Sequence, residues 1–67
     1  MDYAALGNRV RIRRSLLGIT QAQLAERINV STSYIGHIER GSRILSVNVL
    51  AALCTALQTS ADFLLGI

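Results

Sequence analysis

Apolar residues recur along this chain at spacings of three and four, the period at which side chains line one face of an α-helix. The first run spans Tyr3 to Leu17, with Leu6, Val10, Arg14 and Leu17 on one face. Gly18 follows, where a left-handed residue ends a helix at little cost. Thr20-Gln21-Ala22-Gln23 has the form of a capping box: the threonine hydroxyl accepts from the Gln23 amide, and the Gln23 side chain returns to the threonine amide. It opens a second helix whose inner face is Leu24, Ala25 and Ile28, and Asn29, which tolerates left-handed backbone, comes after it. Ser31 caps a third helix over Thr32 to Arg40, stopped by Gly41. Ser46 caps a fourth, with Leu50, Leu53, Cys54 and Leu57 in one stripe. Ser60 caps a short fifth, in which Asp62 complements the helix dipole. Nothing alternates with a strand's period of two. The pattern predicts an all-α fold, a compact five-helix bundle with residues 1–67 as one domain.

The segment from Gln21 to Arg40 is more restrictive. Two helices that meet at roughly 90–120° across a tight turn need particular residue types at fixed places. Leu24 and Ile28 face inward from the first of them, and Ile35 and Ile38 from the second. Val30 plugs the turn, Asn29 supplies the reversal, and Ala25 keeps the crossing narrow.

Composition narrows the classes of function. A chain of about 60 residues buries only about 60% of the surface its unfolded form exposes, so good packing, a staple or a partner is needed. The single cysteine, Cys54, allows no internal disulfide, and no Cys/His cluster has zinc spacing. One unpaired thiol suits a reducing cytoplasm. The first residues lack a cationic region followed by an apolar one, so no signal peptide is expected. The most apolar stretch, Ile44 to Leu57, is interrupted by Ser46 and Asn48 and falls short of the ~20 residues that span a bilayer. A cytoplasmic domain without membrane or cofactor is expected, its hydrophobic content of 51% filling a core and leaving an apolar patch for a partner. Net charge is +3 and all seven basic residues are arginine, with Arg9, Arg11, Arg13 and Arg14 in the first helix. That balance permits nucleic-acid binding without requiring it. Catalysis is not expected. His37 and Cys54 are the only candidates for a nucleophile–base pair, with no third orienting residue and no phosphate loop.

Arg9-Val10-Arg11, Arg14, Gly18-Ile19-Thr20-Gln21-Ala22-Gln23-Leu24-Ala25, Val30-Ser31, Ile35, Ile38-Glu39-Arg40-Gly41-Ser42-Arg43, Ala56-Leu57 and Ser60-Ala61-Asp62-Phe63-Leu64-Leu65 stand in one order and register. In this the chain resembles the Cro and phage-repressor family of helix-turn-helix (XRE-type) regulators, from about Leu6 to Leu65. It departs from the family at Asn29, where glycine is usual, at Leu45, where proline is frequent, and at Gly36, which weakens the third helix by about 1 kcal/mol relative to alanine. The resemblance implies double-stranded DNA as partner, a helix-turn-helix over about 21–40, and a recognition helix over about 32–40 that enters the major groove. It implies that Thr32, Ser33, Gly36 and His37, on the outward face, meet base edges. Phosphate contacts are expected from the start of the second helix at Thr20 and Gln21, and from Tyr34, Arg40, Ser42 and Arg43. Arg14 and Glu39 lie on faces turned towards other helices, where a charge needs a partner, and the resemblance implies an ion pair between them. One short recognition helix covers too few base pairs to select a site, so a homodimer on a palindromic operator is expected, joined through Phe63, Leu64 and Ile67. The expected activity is that of a transcriptional repressor. A protein-interaction module or antitoxin using the same fold is the alternative, and the salt dependence of DNA binding separates the two.

Overall fold

Every helix begins at a side chain that accepts from its first turn. Asp2 Oδ1 accepts from the Ala5 amide at 3.0 Å. Ser31, Ser46 and Ser60 do the same for Tyr34, Val49 and Phe63 at 3.0, 3.1 and 3.0 Å. Thr20 forms the full capping box with Gln23, at 3.0 Å from amide to hydroxyl and 2.8 Å for the return bond. Such caps satisfy amides that the helix leaves unpaired, at about 1 kcal/mol each. The computed structural model describes residues 1–67 and contains α1 (Tyr3–Leu16), α2 (Gln21–Ile28), α3 (Thr32–Arg40), α4 (Val47–Leu57) and α5 (Ala61–Leu65). The first helix stops one residue short of the sequence expectation: Leu17 is its cap, and Gly18 takes the left-handed turn at φ +71°. Asn29 takes the same conformation between α2 and α3 at φ 60°, as its side-chain type allows.

The inner faces converge on Leu6 and Val10 of α1, Leu24 and Ala25 of α2, Ile35 and Ile38 of α3, Leu53 and Leu57 of α4, Leu64 of α5, and Ile19 before α2. Burying each large aliphatic side chain stabilises the fold by roughly 1.5–3 kcal/mol. Val30, Ile28, Leu17 and Leu50 pack half-buried around this set. No helix is long and apolar enough to cross a membrane.

α1 ties the bundle together. At Gly7 it touches the backbone of α3: a Cβ there would overlap the Ile38 carbonyl and stand 2.7 Å from the Glu39 carbonyl oxygen. Farther along, the Arg13 guanidinium donates to the Leu57 carbonyl at 3.0 and 3.3 Å and to Gln58 at 3.1 Å, satisfying orphan carbonyls at the end of α4. Arg9 reaches the Leu64 carbonyl, in the last turn of α5, at 3.4 Å.

Candidate nucleic-acid interface

α3 is amphipathic, and its buried side is fixed by Ile35 and Ile38. Thr32 and Ser33 are exposed on the opposite side. His37 is half-exposed, its Nδ1 3.2 Å from Ser42 Oγ and 3.3 Å from Arg40 Nη2. Nδ1 serves one of these contacts at a time: bare, it accepts from Arg40, and protonated, it donates to Ser42 Oγ, whose own proton goes to the His37 carbonyl. Ser42 donates to the His37 carbonyl at 3.1 Å, which holds the loop after α3 close to the helix.

Gly36 departs from expectation. It lies on the outward side of α3, yet it is buried, because the Arg40 guanidinium folds back over it. It therefore offers no open surface to a base in this conformation.

The borders of this face carry the groups suited to phosphate. The capping box engages the Thr20 amide and the Thr20 hydroxyl as acceptor, so the free amides at the start of α2 are those of Gln21 and Ala22. The Gln21 side chain is also engaged: its Nε2 donates to Glu39 Oε1 at 3.0 Å, leaving the Gln21 backbone amide as its donor for an anion. On the other border Arg43 lies over the Tyr34 ring, 5.5 Å from the centroid, a cation–π arrangement that keeps the guanidinium beside α3.

Beneath the face, Arg14 and Glu39 meet in a two-pronged pair, Nε to Oε2 at 2.6 Å and Nη2 to Oε1 at 3.1 Å. Arg14 Nη1 also donates to the Ile19 carbonyl at 3.0 Å. The bonds to Glu39, aided by its charge, hold the Arg14 guanidinium above its ordinary range against the opposing effect of burial. With Gln21 added, one carboxylate joins α1, α2 and α3 and sets the angle at which α3 is presented.

The C-terminal apolar set needs a correction. Leu64 is fully buried in the core and cannot form a dimer contact, because a helix of five residues turns only one narrow face inward and Leu64 occupies it. Phe63 and Ile67 remain exposed, Ile67 at 85%. Sequence reasoning missed a second apolar surface. Ile44 and Val47, 78% and 81% exposed, stand in and just after the α3–α4 loop. Val47 helps line a groove of about 170 Å³ with Met1, Leu45, Leu50 and Leu65. The bare apolar pair at the start of α4 was the available signal.

The arrangement has relatives. A family profile described as a helix-turn-helix domain matches residues 5–64. The HTH-type transcriptional regulator YazB of Bacillus subtilis is 38% identical over 62 residues, 92% of this chain and 90% of that protein. The restriction-modification controller protein C.AhdI from Aeromonas hydrophila superposes with a TM-score of 0.89 at 35% identity, covering 94% of this chain and 96% of that one. The c2 repressor of phage P22, solved in complex with a synthetic operator, superposes with a TM-score of 0.84 at 41% identity, covering 88% and 89%. Some relatives are longer: the chain spans 41% of an HTH-type regulator of Mycobacterium tuberculosis and 30% of the Salmonella phage P22 repressor protein C2.

Proposed function

The chain belongs to the helix-turn-helix family of DNA-binding transcriptional regulators, and from that premise we propose that it is a cytoplasmic repressor that binds a palindromic operator as a homodimer. The observation that carries this reading is the outward face of α3, where the exposed Thr32 and Ser33 present hydroxyls beside the half-exposed His37 ring. In the major groove Thr32 and Ser33 meet base edges, and the threonine methyl suits the thymine methyl. The Gln21 amide with the Thr20 hydroxyl on one border, and Tyr34, Ser42 and Arg43 on the other, contact phosphates and fix the register. The likeness to a repressor bound to a synthetic operator supports the repressor role.

The same geometry supports dimerisation. A recognition helix of nine residues reads a half-site, and a twofold pair places a second one about 34 Å away. Phe63 and Ile67, with the groove to which Leu65 and Val47 belong, supply the exposed apolar surface for the second copy. Selection of bound sequences from a random duplex pool, followed by sedimentation of the complex, tests the whole reading. A palindromic consensus holding two chains per duplex is expected. One chain per duplex at saturation, or no consensus, refutes it.

Exposed Ile12 and Leu16 on α1 favour a second reading, a protein-interaction module or antitoxin. Under that reading a partner protein co-purifies and its binding is indifferent to salt, whereas operator binding weakens as salt rises.

A further inference from the structure

The outward face of α3 is poor in reach. Thr32 and Ser33 are short, position 36 has no side chain, and His37 is tied to Ser42 and Arg40. The only long, many-donor side chain there is Arg40, one turn beyond Gly36. Side chains on a helix tilt towards its N-terminus, so a residue at i+4 overlies position i. Arg40 does this fully: a Cβ at Gly36 would stand 3.2 Å from its Nη1, 3.6 Å from Nη2 and 3.8 Å from Cζ. Its guanidinium thus fills the place that a side chain at 36 would take, in line with Ser33 and beside His37. No carboxylate holds it, since the chain's ion pair is Arg14 with Glu39. In the tautomer with a bare Nδ1, His37 accepts from Nη2 at 3.3 Å and steadies the planar fork without neutralising it.

Resting on the proposed operator binding by α3, we propose that Arg40 is a base-reading residue rather than a phosphate contact. It recognises guanine in the major groove, with Gly36 as the gap that lets the guanidinium lie along the helix. Guanine presents O6 and N7 side by side as acceptors, and the arginine fork matches both at once, which lysine's single ammonium cannot do. Glycine in mid-helix, a local defect by propensity, then has a functional cause. The departure from family pattern at 36 and the arginine at 40 act as one unit.

The test compares the parent, Arg40→Lys, Arg40→Ala and Gly36→Ala by selection from a random duplex pool, with circular dichroism melts on each. The parent is expected to demand guanine at one position in each half-site. Arg40→Lys keeps the positive charge, and it is expected to lose about tenfold or more of that preference while the other positions stay as they were. Gly36→Ala crowds the guanidinium and weakens the same preference, while its melting temperature stays at or above the parent's because alanine favours the helix. If Arg40→Lys keeps every preference of the parent, or Arg40→Ala weakens all sequences alike, Arg40 is a phosphate contact and this inference is overturned while operator binding stands. A parent that selects no sequence overturns both.

Discussion

Replacing Gly7 with alanine sets two effects of known size against each other. In an exposed helix the change stabilises by about 1 kcal/mol, since glycine is the poorest ordinary helix former. Here the added methyl meets backbone, with the Glu39 carbonyl oxygen 2.7 Å away and the Ile38 carbonyl nearer still. Neither is the movable end of a side chain. Ordinary contact lies near 3.5 Å, so α1 and α3 must part by roughly 1 Å along a seam that also holds Leu6, Val10, Ile35 and Ile38. Overpacking of this kind costs about 1–3 kcal/mol. The parting also stretches the Arg14–Glu39 pair, which crosses the same two helices and whose charge-assisted bonds contribute about 1.5–3 kcal/mol. The net expectation is a loss of about 2–3 kcal/mol, which at about 4–8 °C per kcal/mol lowers the melting temperature by roughly 10–20 °C. Far-UV circular dichroism melts of Gly7→Ala and Gly18→Ala measure it. Gly18 has φ +71° and nothing within 4 Å of its would-be Cβ, so its substitution carries only left-handed strain of about 1–2 kcal/mol. A Gly7→Ala protein that melts at or above the parent refutes the close approach of the two helices.

Three further outcomes are expected. Glu39→Gln or Arg14→Met leaves one member of a largely buried pair alone and lowers stability by about 3–5 kcal/mol; unchanged melting in both refutes the pairing. Arg13→Ala removes the cap of α4 at about 1 kcal/mol without altering the salt slope of DNA binding, whereas Arg43→Ala lowers that slope by about one; the opposite pattern reverses the two roles. Burial pushes the Cys54 thiol above its ordinary value, so at a given pH the folded protein holds less thiolate than a free cysteine. Alkylation by iodoacetamide is slow near pH 8, gains at higher pH than for free cysteine, and becomes fast in denaturant; equal rates folded and free contradict this.

The caps and the core were legible because each is written in a local rule. Ser31, Ser46 and Ser60 each precede a periodic apolar run, and Asn29 stands where the turn between α2 and α3 needs a left-handed residue. What stayed hidden depends on distance along the chain. Gly7 sits in the middle of a helix where its cost signals a reason, but nothing nearby says that the reason is the backbone of α3. Arg13 reaches a carbonyl 44 residues away, which no spacing rule connects to it. Phe63 and Leu64 are neighbours of similar polarity, and only the docking of α5 decides that one is core and the other surface. In the site, Thr32 and Ser33 lie where the helical period puts them, whereas the burial of Gly36 follows from the rotamer of Arg40.

The arginines carry an argument about affinity that net charge conceals. Arg9 and Arg13 close helix ends, Arg14 holds Glu39, and Arg11 donates to Asn8 at 2.6 Å. The basic first helix is therefore structural reinforcement, and the cations free for DNA are Arg27, Arg40 and Arg43. Each phosphate neutralised contributes about −0.9 to the slope of log K against log salt. With Arg40 on a base, Arg27 and Arg43 on each of two copies limit that slope to about −4, against about −13 if all seven arginines met phosphates. Non-specific binding is then weak, and occupancy of an operator depends on base contacts from α3 and on two copies sharing one site. Titrating labelled operator between about 50 and 200 mM salt, the range over which such contacts are lost, measures the slope. A value near −10 or steeper means that the α1 arginines leave their carbonyls and carboxylate for phosphate, and the structural assignment of Arg9 and Arg13 falls with it.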